Sequence, residues 1–105
     1  MSNRYQVRFT PEAQADLFEL YDYIAEHGSA ARALHFIERI EQWCNSLECF
    51  PERGVRRDDI RPGLRVVGFG RRVSIAFHVT SDAVTIIRIL YAGRDITTIF
   101  DEPPE

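Results

Sequence analysis

Residues 72–91 read RVSIAFHVTSDAVTIIRILY, and this stretch decides the fold. Val73, Ile75, Phe77 and Val79 alternate with Ser74, Ala76 and His78, the period of a strand with one apolar face. Residues 84–91 are apolar on both faces apart from Arg88, which predicts a strand inside a sheet, not at its edge. Ser81 and Asp82 form a turn pair between them, so the two strands make an antiparallel hairpin. Just upstream, Leu64–Phe69 is another strand candidate with Gly70 at its exit, and the three give an antiparallel meander.

Working outward, residues 52–62 read as a polar loop punctuated by Gly54 and Pro62. Before it lie two helices. Thr10 is a good N-cap, Pro11 fits the first helical position, and Glu12 and Asp16 suit the positive end of the helix dipole. Ala13, Leu17, Leu20, Tyr21 and Ile24 recur at helical spacing until Gly28 stops the run. Ser29 caps a second helix whose stripe is Ala33, Phe36, Ile37, Ile40, Cys44 and Leu47. The turn between them is so short that the helices must pack as an antiparallel hairpin. Its outward faces are expected to be acidic, with Glu12, Asp16, Glu19, Asp22 and Glu26 on the first helix and Glu38, Glu41 and Glu48 on the second. Tyr5, Val7 and Phe9 alternate with Arg4, Gln6 and Arg8 as a short N-terminal strand. The order β-α-α-β-β-β predicts an α+β fold, a helical hairpin laid on a sheet.

The 105 residues suit one domain, expected over 1–100, with a loose acidic tail at 101–105. No apolar run is long enough for a membrane span, and the first residues lack a signal peptide's apolar stretch, so the expected location is cytoplasmic. Cys44 and Cys49 fall on different helix faces, which argues against a disulfide, and without a histidine partner they make no zinc site. No phosphate loop, cofactor fingerprint or Ser/His/Asp arrangement occurs. All 13 cations are arginine. Residues 53–94 hold nine arginines against three aspartates, a net +6, whereas residues 1–52 hold four arginines against nine acids, a net −5. Such polarity points to an acidic or anionic partner for one face. Arg88 lies among apolar neighbours and needs either a carboxylate, with Asp58, Asp59 and Asp95 as candidates, or a place on a basic sheet face.

Several words stand in a fixed order: YQVRFTPEAQADLFELYDYIAE at 5–26, CNSL at 44–47, FPERG at 50–54, DIRPGLR at 59–65, the Arg71-Arg72 pair, and ILYAGRD at 89–95. Together they resemble the RelE/ParE superfamily of toxins from type II toxin–antitoxin systems, over about residues 4–100, and lean towards the ParE branch. That resemblance implies a toxin without a cofactor that binds and inhibits DNA gyrase, is neutralised by a ParD-type antitoxin, and meets operator DNA only through that antitoxin. The RelE branch implies instead a ribosome-dependent mRNA endonuclease, for which this chain offers Arg65, Arg72, His78, Arg88 and Tyr91. Arginine is a poor general base, and His78 stands alone on its strand, so catalysis is the weaker expectation. A third possibility is a non-toxic member that acts only within the regulatory complex.

Two surfaces are expected on this basis. An amphipathic antitoxin helix should dock on Leu20, Tyr23, Ile24, Phe36, Ile40 and Trp43, with its acidic end meeting Arg61, Arg65 and Arg72. Gyrase should meet Arg72, Arg88, Arg94 and the segment from Ile96.

Overall fold

The computed structural model describes residues 4–70 and 72–91. In chain order the elements are β1 (Gln6–Phe9), α1 (Pro11–His27), α2 (Ala30–Asn45), a 3-10 turn (Ser46–Glu48), β2 (Val55–Arg56), β3 (Leu64–Phe69), β4 (Val73–Val79) and β5 (Ala83–Tyr91). The five strands form one sheet in the order β1-β5-β4-β3-β2. β1 runs parallel to β5 and the other pairs are antiparallel. The apolar strand therefore sits inside the sheet, flanked on both sides, as its composition predicts.

Both helices start as their caps dictate. Thr10 Oγ1 accepts the Ala13 N–H at 3.0 Å, and Ser29 Oγ accepts the Arg32 N–H at 3.1 Å. Ala13, Leu17 and Leu20 of α1 and Ile40 and Cys44 of α2 close over Val73, Ile75, Phe77, Val84, Ile86 and Ile89 of the sheet. Cys44 and Cys49 are both free thiols. Cys49 lies past the 3-10 turn and is exposed, while burial, with Glu41 adding, pushes the Cys44 thiol up to about 12.

The loop expected over residues 52–62 holds an additional strand, β2. Two residues carry no alternation to read. The strand exists because Val55 and Arg56 pair with Val66 and Arg65, and because Arg57 N–H reaches the Leu64 carbonyl at 2.8 Å. Gly54 enters it at φ 77°, where an added Cβ would lie 2.6 Å from the Val66 carbonyl oxygen.

β5 also breaks simple alternation. Ala76 pairs with Arg88 while Phe77 pairs with Ile86, so Ile87 is the extra residue of a β-bulge. The bulge brings Ile86 and Ile89, three positions apart, onto the same core face. It is pinned from the helical layer. Thr10 N–H reaches the Ile86 carbonyl at 3.0 Å, and Thr10 Oγ1 donates to the Ile87 carbonyl at 2.8 Å.

Candidate functional site

β1 ends at Phe9, and the chain there lifts into α1, so among the described residues β5 runs on without a neighbouring strand on that side. Asp16 takes over that edge. Its carboxylate accepts Arg88 Nε at 2.8 Å, Arg88 Nη2 at 2.9 Å and the Ile89 backbone N–H at 2.9 Å. The Asp16 side chain is 4% exposed and that of Arg88 22%. This bidentate geometry holds Arg88 protonated, raising its pKa further, with the Asp16 hydrogen bond as the main cause. Two expectations are corrected here. Arg88 pairs with Asp16, not with Asp58 or Asp59, which instead engage Arg56, Arg57 and the Gly63 N–H in their own loop, and the third candidate, Asp95, lies outside the described residues. Asp16 is not on the solvated acidic face of α1; it is buried, with its carboxylate against β5.

Beside this clamp, the helical hairpin and the sheet leave an apolar groove of about 460 Å³, lined by Leu20 and Ile24 of α1, Phe36 of α2, and Val73 and Tyr91. Arg32, His35 and Arg72 stand on its rim and are exposed. Phe36 meets Phe69 edge-on, with ring centroids 5.7 Å apart. Tyr91 meets Tyr23 in the same manner at 4.7 Å. The Tyr91 hydroxyl is enclosed and has no hydrogen-bond partner among the described residues. Burial first, and then the Tyr23 side chain, push its pKa well above the ordinary tyrosine range, with Arg72 acting in the opposite direction. A phenol so placed stays protonated at neutral pH and is a poor general base. Leu20 and Tyr91 also border a second hollow lined by the acids Asp16, Glu19, Asp22 and Glu26.

Of the residues expected to receive the antitoxin, the groove gathers Leu20, Ile24, Phe36 and Arg72, with Tyr23 alongside against Tyr91. Ile40 is 0% exposed and belongs to the core, so it cannot be an anchor. Trp43 is half-buried, edge-on to Phe77 at 6.3 Å, with the Arg53 guanidinium 5.8 Å from its ring centre. Arg65 pairs with Phe77, four residues along β4 from Val73, which puts it roughly 13 Å from the groove end at the usual strand rise. It donates to the Arg53 carbonyl at 3.3 Å, and Arg61 lies in the turn before β3. The rim residues Arg32 and His35 were missed from sequence. Their spacing to Phe36, at i, i+3 and i+4, was the available signal.

Of the residues offered for catalysis, Arg72 and Tyr91 meet at the groove, but the other three do not join them. Strand alternation puts His78 on the face opposite Phe77, where its ring packs against Gly63. Arg65 and Tyr91 lie towards opposite ends of the helix-facing side, and Arg88 is engaged by Asp16. Among the expected gyrase contacts, Arg72 is exposed beside the groove and Arg88 is clamped, while Arg94 and Ile96 lie outside the described residues. Among the described residues there is no cluster of side chains able to hold a metal ion, and no helix is long and apolar enough to cross a membrane.

The family model described as the ParE toxin of type II toxin–antitoxin systems, parDE, matches residues 7–96. The chain belongs to the ParE toxin family. It is 27% identical to toxin ParE1 of Mycobacterium tuberculosis (strain H37Rv) over 97 residues, covering 91% of this chain and 96% of that one. It is 30% identical to toxin ParE3 of Caulobacter vibrioides over 81 residues, covering 77% and 80%. Among solved structures, the chromosomal ParDE system from P. aeruginosa matches with a TM-score of 0.74 at 26% identity, covering 87% of this chain and 99% of that one. The RelBE2 toxin–antitoxin complex from Mycobacterium tuberculosis matches with a TM-score of 0.53 at 22% identity, covering 85% and 99%, and shares the fold. The lean towards the ParE branch is thus correct, as is the α+β architecture of two helices on a sheet.

Proposed function

We propose that this ParE-family toxin acts by binding, not by catalysis, that its target is DNA gyrase, and that a ParD-type antitoxin neutralises it by laying an amphipathic segment in the groove between hairpin and sheet. The observation that carries the antitoxin assignment is the groove itself. Its floor is apolar, and its rim holds Arg32, His35 and Arg72. An acidic segment with apolar anchors matches both properties. Operator DNA is then reached through the antitoxin. Binding in preference to catalysis is supported by the distance of His78 and Arg65 from the groove end where Arg72 and Tyr91 meet, and by the commitment of Arg88 to Asp16. The gyrase-facing surface is assigned to Arg72, Arg94 and the segment from Ile96, with Arg88 supporting the adjoining strand.

Purified protein should inhibit gyrase supercoiling and leave mRNA on ribosomes intact. Site-specific cleavage lost in Tyr91→Phe would replace this function by the endonuclease one. No growth inhibition in cells lacking the antitoxin would favour a purely regulatory member. Ile24→Asp places a charge on the groove floor and should weaken antitoxin binding by at least about 2 kcal/mol, roughly thirty-fold. An unchanged dissociation constant, with the melting temperature intact, moves the antitoxin elsewhere.

A further inference from the structure

Phe18 (74%) and Leu34 (54%) are large apolar side chains that stand well out into solvent, one on each helix. They border a furrow of about 600 Å³ on the hairpin, with Tyr21 and Ile37, both half-buried, lying deeper in it. Its described lining belongs to α1 and α2 alone and shares no residue with the groove that faces the sheet. Its charge is of one sign. Asp22 and Glu41 line it, and among the described residues no cation does. Each follows an apolar residue by four positions, Asp22 after Phe18 and Glu41 after Ile37, and Glu38 stands in the same relation to Leu34. Residues 11–45, which build the helical layer, hold two arginines and seven acids, a net −5. Both arginines turn the other way: Arg32 stands on the rim of the groove, and the Arg39 guanidinium lies 5.6 Å from the Phe69 ring centre.

An exposed apolar surface rimmed by charge marks an interaction site. The charge here selects the occupant. A symmetric contact with a second copy would oppose acid to acid. Nucleic acid and the anionic face of a membrane are repelled for the same reason, and so is the acidic segment assigned to the groove. A cationic partner is attracted instead. We propose that the furrow is the docking site for a basic amphipathic helix of a protein other than the antitoxin. Its apolar stripe lies against Phe18, Tyr21, Leu34 and Ile37, and its lysines or arginines face Asp22, Glu38 and Glu41. The dimensions agree. The 17 residues of α1 run for about 25 Å, room for roughly four turns laid along the hairpin. Furrow and groove have separate linings, so the inference stands apart from the function proposed above.

Two synthetic helices of about 18 residues test this on the purified chain, one built of leucine and lysine, the other of leucine and glutamate with the same apolar stripe. Binding is read by fluorescence anisotropy at ionic strengths of about 0.01 M and about 0.15 M, where charges are screened over about 30 Å and about 8 Å respectively. The lysine helix should bind, and bind more tightly at the lower salt. Phe18→Asp should weaken it at least about tenfold, with circular dichroism unchanged. That substitution adds a negative charge, so attraction by charge alone would strengthen binding instead. Glu41→Gln should weaken it about threefold at the lower salt. Ile24→Asp, which probes the groove, should not weaken it. The inference is overturned by no binding at the lower salt, by Phe18→Asp binding as tightly as the native chain, by loss of binding in a folded Ile24→Asp, or by a glutamate helix whose binding Phe18→Asp abolishes. It is equally overturned if Phe18→Asp removes a dimer seen by sedimentation velocity or an affinity for phosphatidylserine vesicles, which would give the furrow to a second copy or to a membrane.

Discussion

Asp16 receives three donors from β5, two on the Arg88 guanidinium and one on the Ile89 backbone. Asp16→Ala strands all three and should cost about 3–5 kcal/mol in urea unfolding. Asp16→Asn keeps an oxygen for Ile89 N–H and should cost clearly less; equal losses for the two variants would refute the edge-capping role. Asp58 offers a residue-scale test by pH. Its carboxyl is held below the ordinary 3.8, first by the Gly63 N–H and then by Arg56. A depressed folded pKa means the stabilisation is present above the unfolded value and is lost as pH falls through the folded one. The Gly63 amide resonance should therefore titrate with a midpoint below 3.8, and a midpoint at or above that value would exclude the bond. That Arg88 needs either an acid or a place on a basic sheet face was legible from its apolar neighbours. Which acid was not, because Asp16 and Arg88 are 72 residues apart and meet only where β1 gives way to α1.

At the scale of elements, Gly54 and Gly70 both adopt positive φ, yet they differ in surroundings. A Cβ on Gly70 meets nothing within 4 Å, whereas on Gly54 it strikes the β3 backbone. Gly70→Ala should cost about 1 kcal/mol from backbone strain alone, and Gly54→Ala distinctly more, with loss of the β2–β3 pairing. Amide exchange at Arg57, whose N–H is bonded to Leu64, would report that loss, and unchanged protection there would contradict it. The elements legible in the sequence were those specified locally: the Thr10 and Ser29 caps, the helical stripes, and the three meander strands. β2, the bulge at Ile87 and the parallel pairing of β1 with β5 were not, since each is fixed by a partner distant in the chain. The groove was half legible for the same reason. Periodicity found Leu20, Ile24 and Phe36, but it could not separate Ile40, which is completely buried, from residues nearer the turn of the hairpin.

For the molecule as a whole, Trp43 distinguishes core from interface. Its ring is shared between Phe77 beneath and Arg53 above. Trp43→Ala should therefore lower stability by about 3 kcal/mol while leaving antitoxin affinity per folded molecule unchanged. A selective loss of affinity would return Trp43 to the binding surface. The charge polarity seen along the sequence also acquires a spatial meaning, with acids on the helical layer and arginines around the groove rim and the β2 edge. Finally, β5, the strand that joins β1 to the meander, is the last of the described strands to be synthesised. β1 pairs with β5 across most of the chain, and Thr10 reaches the Ile87 carbonyl over 77 residues. A growing polypeptide thus holds its first strand and its helical hairpin without their partner until residues 83–91 have left the ribosome. Translation that halts before that point releases a chain that cannot assemble this sheet, so a product cut short ahead of β5 holds its helices and first strand with nothing to close on.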